Sequence, residues 1–134
     1  MRALLLALAF AACTPAPPAE TCAAPAEERA VAQMFFGRNI GGALGVSDAD
    51  WAAFVDAEVS PRFPDGLTIA DATGQWRDSE TRAIVHEPSK VLTVFLADEA
   101  AGRRALDEIA EAYKARFHQQ AVALVVERSC VSFE

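Results

Sequence analysis

Arg62, Asp65, Gln75, Trp76, Arg77, Glu87, Ser89, Lys90, Tyr113 and Arg116 concentrate polar and aromatic chemistry in an otherwise apolar hairpin and second helix. Guanidinium, amide, carboxylate and phenol groups gathered in one pocket could hold a small polar ligand, or pass a proton to and from it. The competing reading is structural. Glu87 stands three residues before Lys90, beside the apolar run VLTVFL at 91–96, where the two could form an ion pair that serves the sheet alone.

Other chemistries lack their residues. His86 and His118 are isolated, with no HxH, HExxH or CxxC pattern, so neither a metal site nor a cofactor is expected. The serines include no GxSxG elbow. The segment GRNIGGALGVS could offer backbone N–H groups to an anion, but it lacks a P-loop lysine and does not match GxGxxG, so its glycines read as turn-makers. The chain carries a formal net charge of −7 and has no basic run, which argues against nucleic acid as a partner.

The start of the chain reads as an address. Met1 and Arg2 precede the apolar run ALLLALAFAA, far shorter than the ~20 residues a membrane-spanning helix needs. Residues 1–12 therefore read as a signal peptide. Ala11, Ala12 and Cys13 resemble the lipobox of bacterial lipoproteins, which implies acylation of Cys13 and a periplasmic or outer-membrane location, anchored to the membrane by lipid. Ordinary secretory cleavage and an uncleaved leader are the alternatives. Residues 13–28, rich in Pro, Ala and Glu, read as a tether, leaving 29–134 as one domain. With Cys13 acylated, Cys22 and Cys130 remain; in an oxidising compartment an even pair reads as a disulfide, two free thiols being the alternative.

These groups must be positioned by a small set of elements. AVAQMFFG at 30–37 is a first strand. Ser47 with Asp50 makes a capping box ahead of a helix over 48–59, in which Trp51, Phe54, Val55 and Val59 recur at helical spacing up to Pro61. Pro64, Asp65 and Gly66 turn into a strand at 67–72, and 74–81 reads as the hairpin connection. A third strand lies within 83–97, with Pro88 as a bulge or edge break. Asp98 caps a second helix with Leu106, Ile109, Ala110, Tyr113 and Phe117 on one face and an Arg104–Glu108 pair on the other. A fourth strand occupies 121–127.

The order βαββαβ is that of an α+β, ferredoxin-like fold, a four-stranded antiparallel sheet with two helices on one face. Its first and last strands are neighbours, which brings Cys22 and Cys130 within reach of one another. Apolar residues on both parities of strands one, three and four leave the second face needing cover, by a second copy or by the chain's own tail or tether.

MFFGR at 34–38, SDADWAAFVDAEVSPRFPDGLT at 47–68, GQWRD at 74–78, EPSKVL at 87–92 and AYKARF at 112–117 resemble the bacterial family catalogued as domain of unknown function 3574 (DUF3574). The resemblance implies a small exported or lipid-anchored protein and implies no activity. The expected function is an envelope module that binds a small ligand or a partner protein. The alternative is a small-molecule enzyme of the dimeric α+β barrel kind, with acid and base residues in a pocket beside the sheet.

Overall fold

The computed structural model of the chain describes residues 21–134. The leader, Cys13 and most of the tether lie outside the described residues. Strand β1, Glu27–Gly37, starts inside the stretch read as tether, and strict alternation gives it two faces. Ala30, Ala32, Met34 and Phe36 are buried, while Gln33 and Phe35 point the other way and are exposed.

Past Gly37 the glycine-rich segment folds into a small hairpin of β2, Asn39–Ile40, and β3, Ala43–Leu44. Gly41 and Gly42 make its turn at φ of 60° and 85°, a left-handed backbone that costs glycine nothing. These two are turn-makers, as expected; Gly37 and Gly45 are not, Gly37 ending β1 against the Glu87 carboxylate and Gly45 lying against Ile40. Helix α1, Asp48–Phe54, opens with the expected capping box, in which the Ser47 side chain accepts from the Asp50 N–H and the Asp50 carboxylate accepts from the Ser47 N–H. Its continuation, Val55–Val59, widens into a π-helical turn, with the Ser60 N–H donating to the Val55 carbonyl at 2.9 Å.

Strand β4, Thr68–Arg77, and β5, Ile84–Leu96, form a hairpin longer than the sequence suggests. Thr73–Arg77, expected to lie largely in the connection, pair with Pro88–Ile84. The polar composition of this stretch misleads because the extended ribbon is solvated and needs no apolar side chains. Its turn is confined to 78–83, where Asp78 Oδ1 accepts from the N–H groups of Glu80 and Thr81 at 3.0 and 2.6 Å. Pro88 breaks nothing, because its carbonyl faces the β1 side and accepts from the Arg38 N–H at 3.0 Å. The N–H that proline lacks would point the same way, beyond the end of the β1 ladder, so no ladder bond is lost.

Helix α2, Glu99–Phe117, is capped by Asp98, whose Oδ1 accepts from the Ala101 N–H at 2.9 Å. The expected Arg104–Glu108 pair is replaced: Glu108 takes Arg62 at 3.1 Å, tying α2 to the end of the π-helical turn. Strand β6, Ala123–Val131, starts and ends later than expected. The sheet order β4-β5-β1-β6, antiparallel throughout, is the ferredoxin-like arrangement, and both helices lie on one face. Between helices and sheet, Phe36, Trp51, Phe54, Tyr113 and Phe117 form an aromatic cluster, with Phe36 and Tyr113 centroids 4.8 Å apart and Phe54 and Tyr113 5.1 Å apart.

Cys22 and Cys130 are disulfide-bonded, with Cα atoms 5.5 Å apart, as the neighbouring ends of the first and last strands allow. On the open face Phe35, Phe95, Trp76 and Val125 stay between 39% and 49% exposed. Phe133 of the C-terminal tail covers part of it, edge-on to Phe95 at 5.4 Å.

Candidate functional site

Where β1 leaves the sheet, three arrangements of polar groups meet. The first is on the helix side. Arg38 and Lys90 are only 7% and 9% exposed, while the carboxylates that neutralise them reach out to solvent. Arg38 donates from Nε to the Val46 carbonyl at 2.9 Å and from Nη2 to Asp48 Oδ1 at 2.9 Å. Lys90 lies 3.4 Å from the same Asp48 oxygen and donates to Asp71, its cross-strand partner. The hydrogen bond from Lys90, reinforced by its charge and by that of Arg38, holds the Asp71 carboxyl below the usual carboxylate range. This network fastens the start of α1 to β4, to β5 and to the residue that follows β1.

The Glu87–Lys90 ion pair expected from spacing is not formed. Three residues along a strand put two side chains on opposite faces, Lys90 under the helices with Leu92 and Glu87 on the open face with Val91.

The second arrangement is part-buried. The Gly37 carbonyl points to the β6 side of β1, but β1–β6 pairing ends at Phe35 opposite Ala123, so no strand serves it. The Tyr113 hydroxyl donates to it instead, at 2.8 Å. Burial pushes the phenol up to about 12; the Arg38 charge opposes this and the Glu87 charge adds to it. Two residues on, the Asn39 carbonyl is served by Gln119 Nε2 at 2.8 Å.

The third is a cleft of about 510 Å³ between the β2–β3 hairpin, the far end of the β4–β5 ribbon and the residues that follow α2. Trp76 and Val85 supply its apolar wall; Asn39, Glu87, His118, Gln119 and Gln120 supply the polar groups. Glu87 is fixed there. Its Oε1 accepts from the Asn39 N–H at 3.0 Å, and its carboxylate rests against the α-carbon of Gly37, where a β-carbon would lie 2.6 Å from Oε1. Trp76 is half exposed, and His118 closes the C-terminus of α2 at φ 53°.

The sequence-predicted constellation is thus dispersed. Trp76 and Glu87 share the cleft, with Ser89 next along the same face, donating to the Glu87 carbonyl at 3.2 Å. Lys90 belongs to the helix-side network and Tyr113 to the core. Gln75, Arg77 and Arg116 are exposed, Arg116 lying over the Phe117 ring at 5.3 Å. Arg62 and Asp65 line a separate cavity of about 200 Å³ near the start of β4. Thr68 and Trp76 mark the two ends of that strand, roughly 27 Å apart at strand rise. Sequence reasoning missed Asn39, His118 and Gln119 in the cleft and Arg38, Asp48 and Asp71 in the network. The Arg38-Asn39 pair between the end of the first strand and the paired glycines was the one available signal. Among the described residues no cluster of His, Cys, Asp and Glu could hold a metal ion, and no helix is long and apolar enough to cross a membrane.

Residues 31–133 match the family described as protein of unknown function (DUF3574). No curated protein matches the chain by sequence. Among solved structures, the chain is similar to a phage SAM lyase in complex with S-methyl-5'-thioadenosine, with a TM-score of 0.59 and 13% identity over 78% of this chain and 90% of that one. It is similar to a phage SAM lyase in the apo state as well, with a TM-score of 0.57 and 13% identity over 80% and 93%. At that identity the likeness shows a shared ferredoxin-like α+β fold and nothing of activity.

Proposed function

From the premise that this chain belongs to the DUF3574 family, we propose that it is a lipid-anchored envelope module whose domain binds a small molecule in the cleft beside Trp76 and Glu87. The observation that carries the binding reading is the pairing of a half-exposed indole with a carboxylate held in place by Asn39 and Gly37. An exposed Trp costs solubility, and a fixed carboxylate costs side-chain freedom; together in a concave site they match the apolar wall and few placed polar groups of ligand pockets. The anchoring reading rests on the lipobox-like Ala11-Ala12-Cys13.

A thermal-shift screen of small envelope metabolites tests the first part, since a ligand that binds only the folded state raises its melting temperature. The expected result is a hit whose shift is lost in Trp76→Ala. A screen without hits, or hits indifferent to Trp76, sinks the reading. For the second part, Cys13→Ser should abolish fatty-acid labelling and cleavage at this site; equal processing of wild type and variant would count against it.

The open sheet face supports a second reading, pairing of two copies. Its centre, with Gln33, Phe35, Ala70, Val91, Thr93 and Val125, carries no charged side chain, and Glu87 and Glu127 on the same face lie outside that centre, so two chains of net charge −7 can meet at the centre without opposing like charges there. Phe35→Lys should then convert a dimer to a monomer in sedimentation; a wild type that is monomeric at high concentration ends this reading.

A further inference from the structure

We propose that the ligand of the cleft is a small organic cation bearing an ammonium group, held between the Trp76 indole face and the Glu87 carboxylate. The inference rests on the reading that the cleft is a ligand site, and adds the chemical class. Trp76 pairs with Val85 and Gly74 pairs with Glu87 across the β4–β5 ladder. Trp76 and Glu87 are therefore diagonal neighbours on one face, with side chains starting about 7 Å apart. That spacing leaves room for one ammonium group between an aromatic ring and a negative charge, the two groups that recognise quaternary and primary ammonium ions.

Charge decides the sign of the ligand. No Lys or Arg lines the cleft; its ionisable groups are Glu87 and His118. Lys90 and Arg38, the nearest buried cations, are turned to the helix side and already carry Asp48 and Asp71. An anion would meet a carboxylate with no cation to offset it. A cation meets the carboxylate of a chain whose formal net charge is −7.

Glu87 is also preorganised to receive one. Oε1 is committed to the Asn39 N–H, while Oε2 accepts no hydrogen bond among the described residues. The Trp76 indole has neither an aromatic nor a hydrogen-bonding partner among them, unlike that of Trp51, which is buried against Phe36 at 5.1 Å. The neighbouring glycine is part of the device: at Gly37 even a methyl group would strike the Glu87 carboxylate and displace it.

The probe is choline, with its uncharged carbon isostere 3,3-dimethyl-1-butanol and with ethanolamine as a primary amine. Binding to the full chain is followed at pH 8 by calorimetry and, where Trp76 is present, by the change in tryptophan fluorescence. Saturable binding of choline or ethanolamine is expected. It should weaken at least tenfold in Glu87→Gln, whose amide oxygen can still accept from Asn39, and in Trp76→Ala, with the isostere at least tenfold weaker than choline. Unchanged urea midpoints in both variants would show that the fold survives. If the isostere binds as well as choline and Glu87→Gln changes neither, the cleft is a ligand site but the cationic class is overturned. If neither ammonium probe binds while a neutral or anionic compound from the wider screen does so in a Trp76-dependent way, the class again fails and the site stands. If nothing of any charge binds, both fall.

Discussion

Tyr113→Phe isolates one hydroxyl in the middle of the fold. The ring stays, with its contacts to Phe36 at 4.8 Å and Phe54 at 5.1 Å; what is lost is the bond to the Gly37 carbonyl at 2.8 Å. Because β6 stops short of Gly37, that carbonyl has no strand partner to fall back on. Leaving an acceptor unpaired costs about 1 to 3 kcal/mol when it is fully buried, so this part-buried carbonyl falls toward the lower end of that range, still a sizeable share of the roughly 5 to 15 kcal/mol that holds a domain folded. The same hydroxyl predicts a pH dependence. Burial raises its pKa in the folded state to about 12 from the ordinary 10.0, so folding favours the protonated phenol. The stability this contributes is fully present below pH 10 and is lost as pH rises through about 12. At about 1.4 kcal/mol per pKa unit, the wild type loses roughly 3 kcal/mol across that window through this group, and the Phe variant does not. Urea unfolding followed by circular dichroism should therefore show the variant less stable at neutral pH and the two converging in alkali. A Cys13→Ser background keeps a third thiolate from attacking the disulfide. Alkaline limbs that run parallel in the two proteins would refute the burial argument, and equal stability at neutral pH would refute the orphan-carbonyl argument.

Reduction of Cys22–Cys130, which spans a sequence separation of 108, should destabilise the domain by about 4 to 5 kcal/mol on loop-entropy grounds; urea midpoints with and without reductant, and in Cys22→Ala, measure it, and a shift below about 1 kcal/mol would contradict it. Gly102 lets α2 approach β5 so closely that a β-carbon would lie 2.7 Å from Leu96 Cδ2; Gly102→Val should cost about 2 to 3 kcal/mol by overpacking, read from the same melts. Arg77→Ala, at an exposed position of the ribbon, should change stability by less than about 0.5 kcal/mol and leave ligand binding in the Trp76 cleft untouched. On the acid side, Asp71 is held deprotonated by Lys90, so its contribution is present above the ordinary carboxylate range and lost as pH falls through its depressed value; Asp71→Asn should flatten the acid limb of the stability profile.

The sequence by itself determined whatever depends on neighbours within a turn or two. Ser47 with Asp50, Asp98 before Ala101, Gly41–Gly42 and the two-residue alternation of β1 each act through bonds that span four residues or fewer, so their types and spacing are enough. The βαββαβ order and, through it, the meeting of Cys22 with Cys130 follow from those elements. The site did not follow, because its groups come from strands whose register and end points are set by packing. The Tyr113 hydroxyl matters because β6 begins two residues too late to serve Gly37, a fact of pairing that neither segment carries alone. Glu87 turned from Lys90 to Asn39 and Trp76 because the strand continues unbroken through Pro88, and that continuity depended on where β1 stops. Arg38 was one of several scattered basic residues until the end of β1 buried it beside Val46, Asp48 and Lys90. Propensity and capping are local energies and can be read along the chain; the partner of a buried polar group is chosen by geometry that exists only once the sheet has closed against its helices.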